Sequence, residues 1–499
     1  MMHTSKSALP RLTRSLVAGA CALLYLGANA ATIEIQSRDP AGFGFDDQTP
    51  VAPVGGNPGT TLGAQRLFVY RYVADIWEKA IQSNVKIVVS AGWEALTCAA
   101  GSAVLGSASA WNLWHDFANG SGGTWYPQAL ANKLSGVNLS DGTPDDGSGY
   151  GNVDIKTQFN INLGNVGCLD GIPFYLGVDG ASAGKVNFVP TLLHELGHGL
   201  GFSALTSTAN GFRINPDGSA YVETGGLPSV WERYMYDNTI AKTWLAMTNV
   251  ERQASAINPL KLSWNGLNGV AGATATLTAT PVVKITTPVP GAAGLYDYGA
   301  AAFGPAIVSP GALGALAVVK PVASPPGQGC AAFDAADTAA ITGKVAIIDR
   351  GSCGFTVKVK NAQNAGAIGV LIADNVDAPI TGLGGADASI TIPAARITRA
   401  SGVTLKAAVA EAVKYGSRGR PGSLTASWNV DASRIAGADA AGRPLLFTPN
   451  PRQPGSSVSH WDTSATPNLL MEPAINADLS TSLVPPKDLT VPLLKDIGW

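Results

Sequence analysis

The chain has 499 residues, 46% of them hydrophobic, so it is long enough to form more than one domain with a substantial core. Charged residues make up only 14% of the sequence, the formal net charge is −2, and no basic block occurs, which argues against nucleic acid or anionic membranes as partners. The 59 glycines and 32 prolines indicate a loop-rich extracellular protein rather than a helical bundle.

Residues 1–30 have the pattern of a secretory signal peptide. Three basic residues precede the apolar run 15–27, and residues 28–30 (Ala-Asn-Ala) form an A-x-A cleavage site. The apolar run is too short to span a bilayer comfortably, and no later segment is apolar enough, so we expect no transmembrane anchor. A lipoprotein site at Cys21 is the weaker alternative, because much of the apolar run follows that cysteine. We predict a secreted protein, with the periplasm as the other destination.

Four cysteines remain after removal of the signal: Cys98, Cys168, Cys330 and Cys353. An even number in an exported protein predicts two disulfides. Pairing of sequence neighbours would join Cys98 to Cys168 and Cys330 to Cys353, although four cysteines allow three connectivities. A zinc site built from cysteines is the weaker interpretation because no C-x-x-C spacing occurs. A cysteine switch through Cys98 is the alternative to its disulfide.

Hydrophobic periodicity predicts four elements in the first part of the chain. Apolar residues recur at helical spacing over 62–83, and a β-rich run follows at 85–89. A short helix is predicted over 128–134 and a strand over 154–162.

Residues 191–202 read TLLHELGHGLGF and contain the strongest chemical motif of the chain. On a helix, His194 and His198 project to the same side, and Glu195 lies beside the first imidazole. This is the H-E-x-x-H arrangement, in which two neutral imidazoles bind Zn²⁺ and the carboxylate acts as general base. With only five histidines in the chain, a chance match is not expected.

The same stretch of sequence contains three glycines. Gly197, Gly199 and Gly201 would each cost about 1 kcal/mol relative to Ala in a helix interior. We therefore predict a helix that begins near residue 187 or 188, packs closely around the metal and ends near Gly201, where the chain can turn with φ > 0.

A catalytic zinc ion normally has three protein ligands, so one more is expected. Besides the two motif histidines, the mature chain contains only His115 and His460. His115 lies in a tryptophan-rich stretch (WNLWHDF), which favours a packed or surface role. Glu223 and Glu232 are the carboxylate alternatives, although neither lies in an E-x-x-x-D pattern.

The composition changes at about residue 269, after which the chain is nearly free of charge for a stretch. A strand is predicted over 343–349, a helix over 356–365 and a second strand over 369–373, which together make a βαβ unit. A further helix is predicted over 401–413, with Ser401 as its N-cap.

The βαβ unit resembles the protease-associated (PA) domain. Residues 343–373 contain an IDRG-x-C-x-F turn and a K-x-x-N-A-Q-x-A-G-A-x-G stretch, and residues 392–404 read IPAARITRASGVT. The resemblance implies a non-catalytic α/β module that serves as a lid or a substrate-binding platform.

The H-E-x-x-H region is similar to metzincin peptidases, particularly the leishmanolysin-like group, and Gly201 occupies the family's glycine position. The chain departs from the standard pattern because Ala204 stands where the third histidine is expected. Residues 458–473 read VSHWDTSATPNLLMEP and are similar to the displaced H-W motif and Met-turn of leishmanolysin-like enzymes. The resemblance implies that His460 is the third ligand and that Met471 lies beneath the metal.

These patterns predict an α+β fold in which a zincin-type catalytic domain, a twisted mixed sheet with an active-site helix, is interrupted by an inserted PA domain. The predicted boundaries are 31–275 and 426–499 for the catalytic domain and 276–425 for the insertion. The insertion explains how His460 can return to the zinc without a long structureless loop.

The predicted function is that of a secreted, monomeric zinc endopeptidase with one Zn²⁺ that acts on proteins or peptides. The alternative is a non-catalytic extracellular binding or adhesion protein with a degenerate or structural zinc site, in which the PA module makes the interaction. Structural zinc sites are usually closed by a fourth protein ligand, often cysteine. Since the four cysteines are expected to pair, an open catalytic site is favoured.

Overall fold

The computed structural model describes residues 30–142, 152–319, 327–377, 380–385, 387–418, 423–476 and 478–499. The predicted signal peptide, apart from Ala30, and the alternative lipoprotein site at Cys21 lie outside these ranges. Within them, no helix is long and apolar enough to cross a membrane.

The first region is built on a small mixed sheet. Its elements are β1 Ile33–Ser37, α1 Leu62–Ala80, β2 Ile87–Glu94, β3 Gly106–Ala110, α2 Gln128–Ser135, β4 Ile155–Asn160 and α3 Phe188–Gly199. The strands lie in the order β1–β2–β4–β3, with the first three parallel and β3 antiparallel at the edge. Each predicted helix and strand of this region occurs, although β2 extends to Glu94 rather than ending at residue 89.

Helix α1 forms because a capped start is followed by one continuous apolar face. The side chain of Thr61 accepts a hydrogen bond from the N–H of Ala64, which satisfies one free donor of the first turn. Tyr70, Val73 and Trp77 recur at helical spacing and are fully buried. They pack on the core that α3 shares with the sheet.

The rest of the first region is more irregular. It contains β5 Met235–Asp237, β6 Lys242–Thr243, α4 Asn249–Ser255, β7 Leu262–Trp264 and α5 Leu267–Thr276, and β5 to β7 form an antiparallel sheet in the order β6–β5–β7. This part also contains short strands that pair two by two: Cys98–Ala99 with Ser102–Ala103, Leu113–Trp114 with Tyr126–Pro127, Phe174–Tyr175 with Val186–Asn187, and Arg213–Ile214 with Tyr221–Val222. The 3₁₀ turns are Gly44–Asp46, Trp231–Arg233 and Trp244–Ala246.

A second region has its own sheet and its own core. Its elements are β8 Ala279–Thr286, β9 Gly294–Asp297, β10 Gly299–Ala300, β11 Gly311–Val318, α6 Ala335–Ile341, β12 Val345–Asp349, α7 Phe355–Asn364, β13 Gly369–Ala373, β14 Ala394–Ile397, α8 Arg399–Ser417 and β15 Thr425–Ile435. The eight strands lie in the order β9–β8–β15–β11–β12–β13–β14–β10. One buried cluster covers each face of the sheet, with Leu371 in one and Ile372 in the other.

The last part of the chain returns to the first core. Leu446, Trp461, Met471 and the C-terminal helix α9 Thr490–Ile497 belong to the same buried cluster as β1, β2, α1 and α3. The second region is therefore inserted between two parts of one packing unit, because its own apolar clusters share no residue with that core.

Two details of the inserted region differ from the sequence-based prediction. Strand β15 pairs with β8 and β11 and reaches Ile435, so the sheet continues beyond the boundary predicted at residue 425. Helix α8 begins at Arg399 with Thr398 as its N-cap, so the prediction of Ser401 as N-cap is wrong. The Thr398 hydroxyl accepts the N–H of Ser401, which places Ser401 inside the first turn.

Both disulfides join the cysteines that are neighbours in sequence. Cys98 pairs with Cys168 in the first region, and Cys330 pairs with Cys353 in the inserted region. The alternative of a cysteine switch through Cys98 is wrong, because a disulfide leaves that sulfur without the free thiolate that binds a metal.

The two chain crossings between the regions form a short stalk, Thr278–Ala279 with Ile435–Gly437. Ala279 pairs with Ile435, and the N–H of Ala436 donates to the carbonyl of Thr278 (2.9 Å). The N–H of Thr278 in turn donates to the carbonyl of Thr466 (2.9 Å), which lies between His460 and Met471. The stalk is thus bonded directly to the segment for which metal-site residues are predicted.

Gly437→Ala should destabilise the fold more than Gly442→Ala. Both glycines have positive φ, +75° and +77°, so alanine costs about 1–2 kcal/mol at either position. A Cβ at Gly437 would lie 2.5 Å from Cα of Ala465, whereas a Cβ at Gly442 would have no heavy atom within 4 Å. We expect a further loss of about 1–3 kcal/mol for Gly437→Ala, measured by urea unfolding. Equal losses of unfolding free energy for the two variants would contradict this prediction, because residue 465 would then move aside without cost.

Candidate metal centre

Helix α3 carries the H-E-x-x-H motif and ends where the glycine pattern predicts. The Asn187 side chain accepts the N–H of Val189 (3.2 Å) and caps the start. The helix ends at Gly199, and the chain then turns at Gly201 with φ +116°. A Cβ at Gly201 would lie 2.9 Å from the Pro127 ring, so both the backbone conformation and the close packing favour glycine.

The other two glycines allow close approach to the helix. A Cβ at Gly197 would lie 2.8 Å from the sulfur of Met471, and a Cβ at Gly199 would lie 2.3 Å from a side-chain carbon of Ile155 on β4. Met471 is fully buried. These glycines therefore bring the helix onto the sheet on one side and onto Met471 on another.

His460 meets the two helix histidines although it is far away in sequence. The Nε2 atom of His198 lies 3.0 Å from Nε2 of His194 and 3.2 Å from Nε2 of His460, and the third separation is 3.3 Å. All three atoms therefore point at one small volume.

Backbone carbonyls determine which ring nitrogen carries the proton. Nδ1 of His194 faces the carbonyl of Leu470 (2.8 Å). Nδ1 of His198 faces that of Phe202 (2.7 Å), and Nδ1 of His460 faces that of Ser456 (2.8 Å). A carbonyl only accepts, so each Nδ1 must donate a proton, and in a neutral ring Nε2 is then left bare.

Burial keeps the three rings neutral. It lowers the pKa of His194 to about 3, with a further contribution from His198, and lowers the pKa of His198 to about 4. It also lowers the pKa of His460 well below the ordinary value. Three bare nitrogens that face one another repel unless a cation lies between them. The short Nε2 separations are therefore not hydrogen bonds.

The residues fit a zinc ion. A tetrahedral site with zinc–nitrogen bonds of about 2.0–2.1 Å requires ligand atoms about 3.3 Å apart. The observed separations of 3.0–3.3 Å approach this value. Orienting hydrogen bonds from the second ring nitrogen are also typical of histidines that bind metals.

Glu195 is buried on the same helix, next to His194. Burial raises the pKa of its carboxyl to about 8, while a hydrogen bond from the backbone of Ala108 on edge strand β3 acts in the opposite direction. A cation at the three histidines would lower that pKa, because it favours the carboxylate. The group could therefore exchange a proton near neutral pH.

The other predicted ligand candidates lie elsewhere. The ring nitrogens of His115 contact the carboxylate of Asp116 (2.6 Å) and a backbone carbonyl. Glu232 is buried in an ion pair with Arg213 (2.7 Å), and Glu223 is exposed. Within the described part of the chain, the three histidines are the one group of three or more His, Cys, Asp or Glu residues whose ligand atoms converge.

Backbone geometry and buried acids hold the segment that carries His460 and Met471. Val458 adopts φ +70°, which is unusual for a β-branched residue, and its N–H donates to Phe447 (2.7 Å). The carboxylate of Asp488 accepts the N–H of Leu470 (2.7 Å), the residue whose carbonyl orients His194. Glu472 accepts the N–H of Leu469 (2.9 Å), and burial raises its pKa to about 8.

Sequence reasoning did not find these supporting groups. Any residue supplies a carbonyl, so no residue type marks the positions that orient the imidazoles. A buried aspartate such as Asp488 has no recognisable spacing relative to a histidine that it supports through the backbone.

Comparison with known proteins assigns only the inserted region. The model of the PA domain family matches residues 314–405, so the chain contains a PA domain, and this match does not include the three histidines. Vacuolar-sorting receptor 3 of Arabidopsis thaliana is 43% identical over 72 residues, which are 13% of this chain and 12% of the receptor. The C5a peptidase of Streptococcus pyogenes is 48% identical over 68 residues, 13% of this chain and 6% of that protein. The chain therefore spans only a small part of these curated relatives.

Two solved structures share little with the overall architecture. The zinc aminopeptidase BSAP from Bacillus subtilis has a TM-score of 0.20 and 19% identity, covering 34% of this chain and 36% of that one. The aminopeptidase from Aneurinibacillus sp. strain AM-1 has a TM-score of 0.20 and 21% identity, covering 41% and 42%. At these scores the similarities carry no argument about the fold of the histidine site.

His460→Ala should weaken zinc binding by at least about 100-fold, because loss of a mere orienting partner already costs about 10–100-fold. The affinity can be measured by competition with a chelator of known zinc affinity. His115→Ala is the matched control and should bind zinc like the wild type. Equal zinc affinities for the two variants would contradict a role for His460 as a ligand.

Glu472→Gln should change stability in a pH-dependent way. The ordinary pKa of glutamate is about 4.3, and burial raises that of Glu472 to about 8. Between these values the unfolded chain ionises and the folded one does not, so wild-type stability falls as pH rises through this window. Glutamine removes the effect, and the variant should gain roughly 1–3 kcal/mol over wild type between pH 5 and pH 8, measured by urea unfolding. The exposed Glu223→Gln is the control; a gain independent of pH would contradict the assignment.

Proposed function

We propose that this chain is a secreted zinc-dependent endopeptidase of the metzincin type, similar to the leishmanolysin-like group. The observation that carries the proposal is the convergence of three neutral imidazoles, each oriented by a backbone carbonyl, beside a buried glutamate on the same helix. The two disulfides suit the oxidising compartment that export implies.

His194, His198 and His460 are the residues that would hold the ion. Zn²⁺ bound there would polarise the scissile carbonyl and make water acidic enough to attack near neutral pH. The chain contributes rigidity: hydrogen bonds at Nδ1 keep each ring in the tautomer that presents a bare Nε2. No rearrangement of the rings is then needed for binding.

Glu195 is the general base and then the general acid. Its carboxylate takes a proton from the attacking water as the new bond forms between the water oxygen and the carbonyl carbon. It delivers that proton to the leaving nitrogen as the carbon–nitrogen bond breaks. The buried environment suits both roles, since it raises the carboxyl pKa toward the working pH.

The resemblance to metzincins gains support from the surroundings of the helix. The chain turns at Gly201 with φ +116°, and Met471 packs against Gly197, which lies between the two helix histidines in sequence. The PA domain also supports a peptidase, since several relatives that share sequence with this chain are named as peptidases.

A second candidate is a non-catalytic binding protein that uses its PA domain. The match to vacuolar-sorting receptors favours it, because these relatives are named as receptors. The composition of the histidine site argues against it. Within the described ranges no fourth His, Cys, Asp or Glu joins the cluster, and all four described cysteines are in disulfides. Three protein ligands are what a catalytic zinc site would be expected to have.

Glu195→Gln should lower casein hydrolysis by about 10²–10⁴-fold, the range of general acid–base catalysis, while zinc content stays the same. Glutamine keeps the size and hydrogen bonding of the side chain but cannot take the proton. Zinc is measured by metal analysis of the purified mature protein, and wild-type activity should disappear with chelator and return with zinc. Wild-type proteolysis by Glu195→Gln would exclude this residue as the base, and inactive wild-type protein with full zinc content would favour the binding protein.

A further inference from the structure

An open cleft of about 260 Å³ is lined by residues that are close in sequence to His198 and His460, although neither histidine lines it. One wall comes from residues 203, 204 and 206–209, in the segment that follows Phe202, the residue whose carbonyl orients His198. The other wall includes Ser457 and Ser459, the latter directly before His460. The N–H of Ala204 donates to the Ser459 hydroxyl (3.1 Å), so the two walls are joined next to the site.

The residues that line this cleft are mostly polar, and the charge among them is positive. Hydroxyl groups dominate it, from residues such as Ser203, Ser207, Tyr221 and Ser457, and the one charged lining residue is Arg452. Among the described residues, no carboxylate lines the cleft. The cleft therefore offers hydrogen-bond donors and a positive charge to whatever enters it.

Arg452 has no polar partner among the residues that the structure describes. It is half-buried, yet no hydrogen bond or ion pair joins its guanidinium to any residue in the described ranges. Other half-buried or buried guanidiniums are satisfied: Arg213 pairs with Glu232, and Arg443 pairs with Asp439. A partly desolvated guanidinium without a partner is unfavourable, and a ligand carboxylate would relieve that cost.

We propose that this cleft is a substrate subsite that selects an acidic side chain, and that Arg452 is its specificity-determining residue. The inference rests on the proposed function, since it identifies the substrate class of the same site. The planar guanidinium fork would bind the carboxylate with two parallel hydrogen bonds, and the hydroxyls would satisfy its remaining lone pairs. A basic side chain would be repelled, and an apolar one would leave the guanidinium unpaired.

A carboxylate could also come from the C-terminus of a peptide. Both sources share the chemistry that Arg452 recognises, so the test must separate them. Amidated peptides with one internal glutamate present only the side-chain carboxylate, whereas alanine peptides with a free C-terminus present only the terminal one.

The test measures binding without cleavage, in the zinc-loaded Glu195→Gln protein. The probes are fluorescein-labelled, amidated alanine pentapeptides with glutamate, glutamine or lysine in the central position, and binding is followed by fluorescence anisotropy. We expect the glutamate peptide to bind at least about 10-fold more tightly than the glutamine peptide, as for a hydrogen bond to a charged group. The added Arg452→Gln substitution should abolish this preference and leave zinc content unchanged.

The matched control is Arg418→Gln, which removes an exposed arginine of the inserted region and should leave the preference intact. Equal binding of the glutamate and glutamine peptides, or a preference that survives Arg452→Gln, would overturn the proposal. The proposal would also be overturned if only the peptide with a free C-terminus bound in a way that depends on Arg452, because the cleft would then recognise a chain terminus. If the wild type cleaves nothing while the Arg452-dependent preference persists, the endopeptidase proposal fails and the acidic subsite stands.

Discussion

Three hydrogen bonds from imidazole Nδ1 to backbone carbonyls are the constraint on which the candidate site depends. They leave Nε2 of His194, His198 and His460 without protons and aim all three at one point, 3.0–3.3 Å from one another. Without a cation the arrangement is repulsive, and with one it is a nearly complete coordination shell. The carbonyls come from three different parts of the backbone, so the site forms only when those parts are packed together.

Much of the surrounding structure can be understood as support for this convergence. Glycines on the helix admit Met471 and strand β4 at distances that a side chain would prevent. Asp488 holds the backbone of Leu470, whose carbonyl orients His194. The stalk of the PA domain bonds to Thr466, in the same segment as His460 and Met471. The insertion is therefore bonded to the segment that carries His460 and Met471 rather than to a distant loop.

The same segments also form the cleft with Arg452. Because residues after Phe202 and residues before His460 make its walls, the segments that would orient metal ligands also line the cleft that we propose as a substrate subsite. The same segments would then determine both the geometry of the metal ligands and the selection of the substrate. The N–H of Ala204 donates to the Ser459 hydroxyl and joins the two walls, so a displacement of one wall would also displace the other.

Local patterns in the sequence were sufficient for the helix of His194 and His198, for its end near Gly201 and for the βαβ unit of the insertion, because periodicity and capping act over a few residues. The N-cap of helix α8 and the extent of its sheet were missed, since Thr398 and strand β15 compete with equally plausible neighbours. His460 was one of two histidines left as candidates, and family resemblance selected it. Only the tertiary structure brought His460 to the helix, selected the carbonyls that set each tautomer and left Arg452 without a polar partner among the described residues. These features depend on packing between residues that are remote in sequence.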